Sequence, residues 1–228
     1  MQVTMYQVDA FASTVFTGNP AAVIPLRQWL PEVMMQQIAA ENNLSETVFF
    51  VPSAVDGADF EIRWFTPAIE VNLCGHATLA SAWVLFELLD FTKEQICFSL
   101  KSGLLYVQRH GNRLQLDFPA WKPVPVTDYM PNLAQLLGVK QIRGVYRHRD
   151  LMVEVASEEE LLAATPDFTA LKQTGDKFIL TAPGRDADFV SRFFAPAAGV
   201  NEDPVTGSAH SQLVPFWSER LDKQQLFA

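Results

Sequence analysis

The sequence predicts a mixed α/β protein built as two similar domains, and three observations carry that expectation. The stretch CGHATLASAWVLFELL, residues 74–89, sets Cys74, Gly75 and His76 ahead of small and then large apolar residues. That is the pattern of a helix start feeding a buried helix. The stretch NEDPVTGSAHSQLVPFW, residues 201–217, repeats the device about one domain length later, with Asp203 and Pro204 ahead of Gly207, Ser208 and a second apolar segment. Between them PAWKPVPVTDYMP, residues 119–131, places four prolines in thirteen residues, which excludes a helix interior or a central strand and favours an extended crossing. The expected domains are therefore 1–118, with a central helix from about 76, and 132–228, with a central helix from about 208, joined by 119–131.

Residues 3–11 read as a strand, Thr17-Gly18-Asn19-Pro20 as a turn, and 22–24 as a short second strand. Pro31 suits the first turn of a helix running to about 42, with Val33, Met34 and Ile38 expected to face inward. The apolar strand 47–51 follows, with Ser45 and Glu46 at its entry, and 58–66 alternates Phe60, Ile62 and Trp64 against Glu61 and Arg63. The helix from Gly75 has almost no polar face before Glu87, so it is expected to be buried on all sides, with His76 exposed at one end. Strands are expected at 95–100, 104–109 and 113–118, the latter two joined by His110-Gly111-Asn112.

The second half restarts with a short helix at 132–137 stopped by Gly138, and with strands at 142–147 and 151–155. Ser157 and Glu160 form a capping-box pattern for a helix at 158–164. Strands are expected at 177–181 and 188–194, then a loop to Asp203 and a final helix over about 208–219, which Pro215 should kink or break. With no closing strand visible, this half is expected to be poorer in strands than the first.

A chain of 228 residues, 49% of them hydrophobic, can bury a substantial core in one large domain or two small ones. The net charge of −9 and a pI near 4.9, with Lys and Arg scattered singly, exclude a phosphate-backbone binder, since no basic stripe exists to displace counterions. Nucleic acid is therefore not an expected partner. No apolar run of 18 residues and no signal-peptide pattern occur, so no membrane partner is expected and the cytoplasm is the expected compartment. Cys74 and Cys97 make no disulfide framework, and with four dispersed histidines they show no structural zinc spacing. Cys97, between Ile96 and Phe98, reads as core, Arg63 and Arg192 as partners in strand-surface ion pairs, and His148 and Arg149 as flanks of a hairpin turn.

Both helix starts present unpaired backbone N–H groups and the positive end of a helix dipole, a seat for a substrate carboxylate or phosphate. Glu46, at the rim of a core strand, sits where rigid backbone on both sides can hold a carboxylate.

The segments AFASTVFTGNPAAV, LSETVFF, IRWFTPAIEVNLCGHATLAS and VSRFFAPAAGVNEDPVTGSAHSQLVPFW together resemble the phenazine biosynthesis PhzF-like family, from residue 3 to about 220. That family shares its architecture with diaminopimelate epimerase. The resemblance implies two domains, each a strongly curved mixed sheet around a central helix, with the active site in the cleft between them, and a homodimer. It implies a cofactor-independent isomerase, with neither metal nor organic cofactor, acting on a small carboxylate-bearing substrate. Glu46 matches the glutamate that donates and accepts the proton in the phenazine enzyme, and His76, Asp203 and Ser208 match polar groups of the same cleft. Gly75 supplies backbone to the substrate, and Ser45 and Gly207 complete the expected substrate-binding set. Against the family pattern the chain is expected to be shortened in its C-terminal part.

The chemistry is coherent by itself. A carboxylate withdrawn from water, beside a second carboxylate such as Asp203, becomes a usable acid/base near neutral pH. A histidine at a helix N-terminus is biased toward its neutral form. One alternative is a metabolite-binding or scaffold protein of the same fold without turnover. Another is a two-thiol epimerase or racemase, for which Cys74 holds one thiol position; the place near Asp203 carries no second cysteine, which disfavours it.

Overall fold

Alternation along the first half becomes a mixed sheet folded round one helix. The elements are β1 (Tyr6–Ala10), β2 (Asn19–Pro25), α1 (Glu32–Asn42), β3 (Glu46–Pro52), β4 (Phe60–Phe65), β5 (Glu70–Val71), α2 (Gly75–Leu88), β6 (Gln95–Leu100), β7 (Gly103–His110) and β8 (Arg113–Asp117). The computed structural model describes residues 2–14, 16–101 and 103–228 and falls into two units, Met1–Phe118 and Pro119–Ala228.

In the first unit the strand order is β1-β2-β3-β4-β6-β7-β8, with β5 paired to β4. The pairs β2–β3 and β4–β6 are parallel and the rest antiparallel. Parallel neighbours require a crossover, and α1 and α2 lie in those two crossovers. Strand period then sorts the core onto two faces. Val23, Val48, Phe50, Ile62 and Trp64 pack with α2 through Ala77, Ala80 and Leu85, while Ile24, Phe49 and Phe65 face Met35 and Ala39 of α1. Each large side chain fully buried this way stabilises the fold by roughly 1.5–3 kcal/mol.

Three expectations need correction here. The fully inward residues of α1 are Met35 and Ala39, one turn apart, and half-buried Ile38 packs against them as expected, but Val33 is 70% exposed and Met34 is exposed. The helix begins at Glu32, and the 100° step carries positions 33 and 34 off the stripe that faces the sheet. In α2, Trp83 is 42% exposed, so the helix is not covered all round. His76 is 1% exposed rather than open to solvent, because β2 and β3 enclose the first turn of α2. Glycine is required between β1 and β2: Gly18 has φ +82°, and a Cβ there would stand 2.3 Å from the Ala10 carbonyl oxygen.

The second unit contains β9 (Val124–Pro125), α3 (Leu133–Leu137), β10 (Gly144–Arg147), β11 (Leu151–Glu154), α4 (Glu158–Ala163), α5 (Phe168–Thr174), β12 (Phe178–Pro183), β13 (Phe189–Ala195), β14 (Val200–Asp203) and α6 (His210–Leu221). Its sheet order is β14-β13-β12-β11-β10-β9, with only β11–β12 parallel, across the α4–α5 crossover. Alternate residues again separate two faces. Leu151, Val153 and Leu180 pack with Leu133, Leu161 and Leu171 of the short helices, and Met152, Ile179 and Phe193 pack with Leu213, Phe216 and Trp217 of α6.

As expected, this half has fewer strands than the first, six against eight among the described residues, although it does not lack a strand after β13. β9 and β14 escape the alternation rule because one is two residues with a proline at a sheet edge and the other is the polar run VNED. Nor does α6 break at Pro215; it continues to Leu221. A proline there removes the donor that the Ser211 carbonyl would otherwise meet, and the Trp121 amide supplies it instead, 2.7 Å away. Among the described residues, no helix is long and apolar enough to cross a membrane.

Candidate active site

In the first unit the chemistry gathers where β2, β3 and α2 begin. Asn43, left-handed at φ 51°, ends α1, and the chain turns through half-buried Ser45 into β3. Parallel pairing sets Glu46 opposite Ala21, beside Asn19 and Pro20 at the start of β2. Cys74 is extended, no side chain caps the α2 start, and buried Gly75 is its first residue. The Thr78 hydroxyl returns to the Cys74 carbonyl at 2.5 Å, so this buried polar group is satisfied inside the helix.

These local choices bring Glu46 and His76 of the expected set together, with Cys74 beside them. His76 Nε2 stands 3.3 Å from Glu46 Oε2, and the Glu46 side chain is only 12% exposed. On the other ring nitrogen, Nδ1 lies 3.5 Å from Cys74 Sγ and 3.4 Å from Asn19 Nδ2. Burial pushes the His76 pKa down to about 4, against a smaller upward pull from a hydrogen bond to the Pro20 backbone carbonyl. The imidazole is therefore neutral at pH 7 and has one donor and one acceptor nitrogen.

In the second unit Asp203 closes β14, and the Thr206 hydroxyl donates to its Oδ2. Gly207 and Ser208 are buried in a 3-10 turn, Gly207–Ala209, that feeds α6. Arg149 Nη2 donates to Ser208 Oγ at 3.0 Å, and Arg149 Nε to Asp150 Oδ2 at 2.9 Å. Fully buried Gln212 locks that hairpin to α6: its Oε1 accepts from the amides of Arg149 and Asp150 at 2.9 and 2.8 Å, and its Nε2 donates to the Asp150 carbonyl. The guanidinium lies over Trp121 at 4.9 Å, and His148 stacks on the same indole at 5.8 Å. Because Ser208 Oγ accepts from a cation that only donates, its own proton is directed to another acceptor. His210 is also depressed by burial, opposed by the Thr206 and Gly207 backbone.

The expected site residues thus form two local sets: Ser45, Glu46, Gly75 and His76 in one unit, and Asp203, Gly207 and Ser208 in the other. Sequence reasoning missed Asn19, which had read only as part of a turn, and Arg149 and Gln212. The Arg149-Asp150 pair beside a two-strand pattern was the available signal for the latter two. Arg63 and Arg192 hold no anion seat: Arg63 pairs with Glu32 and Glu70, and Arg192 with Glu202.

Comparison with known proteins decides the family. The model of the phenazine biosynthesis-like proteins (PhzC-PhzF) matches residues 8–227. The chain belongs to that family. Two uncharacterized isomerases of Pseudomonas aeruginosa are 51% and 49% identical to it over 229 residues, each match covering 100% of this chain and 86% of the relative. The crystal structure of a PhzF-family phenazine biosynthesis protein from Enterococcus faecalis is similar with TM-score 0.87 at 47% identity, over 99% of this chain and 86% of that one. The curved mixed sheets of both units are those of the PhzF-like and diaminopimelate epimerase-like architecture. This PhzF-like chain is an enzyme of the isomerase type that its relatives represent.

Proposed function

We propose that this PhzF-like protein is a cofactor-independent isomerase that removes and returns a proton on a small carboxylate-bearing substrate, with Glu46 as the acid/base. The observation that carries the reading is the Glu46 carboxylate 3.3 Å from a buried, neutral His76 at an uncapped helix start. In the forward step the carboxylate takes a proton from a carbon activated by the substrate's own conjugated carbonyl or alkene. The C–H electron pair moves into the conjugated system, and the neutral imidazole hydrogen-bonds the oxygen on which charge develops. The resulting carboxylic acid, whose proton exchanges with solvent, returns a proton to a different carbon, so the double bond shifts and the formula is unchanged. A positioned acid/base of this kind contributes on the order of 10²–10⁴ in rate.

Asp203 is proposed as the second carboxylate of the reaction. Ser45 and the backbone at Gly75 in the first unit, and Ser208, whose proton is directed away from Arg149, and the backbone at Gly207 in the second, are proposed as substrate-binding groups. Donors fixed in advance by folding are worth more in the transition state than water that must reorganise. The acidic surface without a basic stripe favours a small-molecule substrate. The family resemblance supports a homodimer, and the cytoplasm is proposed as its compartment; light scattering on the purified chain and fractionation of the source cells would check the two.

The test is solvent deuterium entering a panel of small carboxylates and cyclohexadiene acids in heavy water, read by mass spectrometry for the native protein and Glu46→Gln. Exchange by the native protein that falls at least 10²-fold in the variant is expected. Equal exchange by a folded Glu46→Gln protein would remove Glu46 from this role, and silence across the panel from a cooperatively melting native protein would favour a binding protein without turnover.

A further inference from the structure

We propose that Asn19 is a positioning residue of this site: with the Cys74 thiol it keeps Nδ1 of His76 an acceptor, and so places the single N–H of the ring on Nε2, beside Glu46. A neutral imidazole carries one such proton, and the bond made by one nitrogen decides the state of the other. The Asn19 amide nitrogen lies 3.4 Å from Nδ1 and can only donate. Cys74 Sγ lies 3.5 Å from the same nitrogen, where a thiol S–H meets the same lone pair. On the opposite nitrogen the neighbour is Glu46 Oε2 at 3.3 Å, a carboxylate oxygen suited to receive an N–H.

The contact is held in place from both ends. Asn19 is fully buried and His76 is 1% exposed, so the amide and the ring must find their partners inside the protein. The backbone on either side of Asn19 is fixed. Gly18 takes the left-handed conformation at φ +82°, where a Cβ would strike the Ala10 carbonyl, and Pro20 follows with its own φ locked. Asn19 also pairs with Ala10 across β1 and β2. Cys74 is extended ahead of α2, makes no cap hydrogen bond there through its side chain, and reaches back to the ring. Burial keeps that ring neutral at pH 7, so its neighbours choose between the two tautomers.

The use made of that tautomer, unlike the tautomer itself, rests on the function proposed above. There the imidazole hydrogen-bonds an oxygen on which charge develops, and this requires an N–H beside Glu46. With the proton on Nδ1 instead, Nε2 would turn a lone pair toward that oxygen and repel it. Asn19 acts through His76. In the sequence it reads as a turn residue because its partner stands 57 positions away, brought to it by the packing of α2 on β2.

Nitrogen-15 NMR of the full chain labelled in histidine, at pH 7, is the first probe. A protonated ring nitrogen resonates far upfield of a bare one, and the His76 signals are those lost in His76→Asn. The native ring is expected as Nε2–H. Asn19→Asp, which keeps the shape but sets an acceptor where the amide donated, should put a proton on Nδ1. Should that variant fail to melt cooperatively, Asn19→Ala decides, and the Nδ1–H form should become populated in it. Nδ1–H in the native chain, as the Pro20 carbonyl or an Asn19 amide turned end for end would dictate, overturns the assignment. An unchanged ring in the variant that folds overturns the role of Asn19. Deuterium exchange is the second readout. With a proton on Nδ1, either Nε2 is bare and offers no donor or the ring is charged and weakens the Glu46 base. In both cases kcat of Asn19→Asp should fall by about 10² with KM nearly unchanged. Full exchange by a variant whose Nδ1 is protonated would overturn the catalytic use of the N–H. A ring that responds as described while the substrate panel stays silent upholds the positioning and counts against the isomerase reading.

Discussion

At the start of α2, Glu46, His76 and Cys74 face one another around an imidazole that burial keeps uncharged. At the start of α6, by contrast, Arg149 is pinned by Asp150, stacked on Trp121 and bonded to Ser208, and Thr206 holds Asp203. Both starts grow from a glycine followed by a small polar or aromatic-nitrogen residue and an apolar helix. In the function proposed above the first is the place where a proton moves, among groups largely withdrawn from water. The second has become a place that fixes geometry, because each polar side chain is committed to a charged or amide partner. Two copies of one sequence device therefore support different roles once their neighbours differ.

The largest expected effect falls on the first start. Glu46→Gln keeps the shape and removes the base, and deuterium exchange on an identified substrate should fall by about 10²–10⁴ while the melting curve stays cooperative. Comparable loss from Arg149→Lys would erase the distinction between the two starts.

The pH dependence of stability comes next. His76 is neutral in the folded protein down to about pH 4, whereas an exposed histidine takes up its proton near 6.5. The unfolded chain therefore binds more protons between those values. The contribution is complete above about pH 6.5 and is lost as pH falls through about 4, a total on the order of 3 kcal/mol. Urea unfolding across that window should show the decline, and His76→Asn should flatten most of it. His210, depressed in the same direction, adds a smaller slope of the same sign.

Smaller again, Arg149→Lys keeps the charge beside Asp150 but loses the planar fork, so Ser208 is no longer held. An increase of about tenfold in KM with kcat nearly unchanged is expected, the signature of lost positioning rather than lost chemistry. In that background Ser208→Ala should cost little more, because the two side chains act as one unit. Smallest is Thr206→Val, which removes one hydrogen bond to Asp203 at about 1 kcal/mol and should raise KM a few-fold. An unchanged KM in both variants would show that the second start holds no substrate.

Some of this was legible from residue order. The runs that became β3, β4, β6 and β12 carry enough β-branched and aromatic residues to declare themselves, and the Ser157 cap is seen with its oxygen accepting from the Glu160 amide at 3.3 Å. Short edge strands were not legible, since β5 and β9 have two residues each and period cannot be read from two. The helix α5 was missed too, although Asp167 caps it through the Ala170 amide, because the seven residues FTALKQT carry too little apolar periodicity. For the site, Glu46 and His76 stood out as single residues, while Asn19 and Arg149 looked like turn residues until their partners were placed.

By itself the sequence determined the mixed α/β class, the apolar character of the two helices behind Gly75 and Gly207, the acidic surface and the inventory of reactive side chains. These follow from local pattern and composition, which act over a few residues. Tertiary structure alone decided that His76 is buried and neutral, that Cys74 and Glu46 lie on opposite nitrogens of its ring, that Arg149 orients Ser208, and that the Trp121 amide replaces the donor Pro215 lacks. Apart from the Cys74 contact, each of these depends on residues far apart in the chain brought together through strand pairing or packing. Their energies depend on desolvation by neighbours that no local window contains.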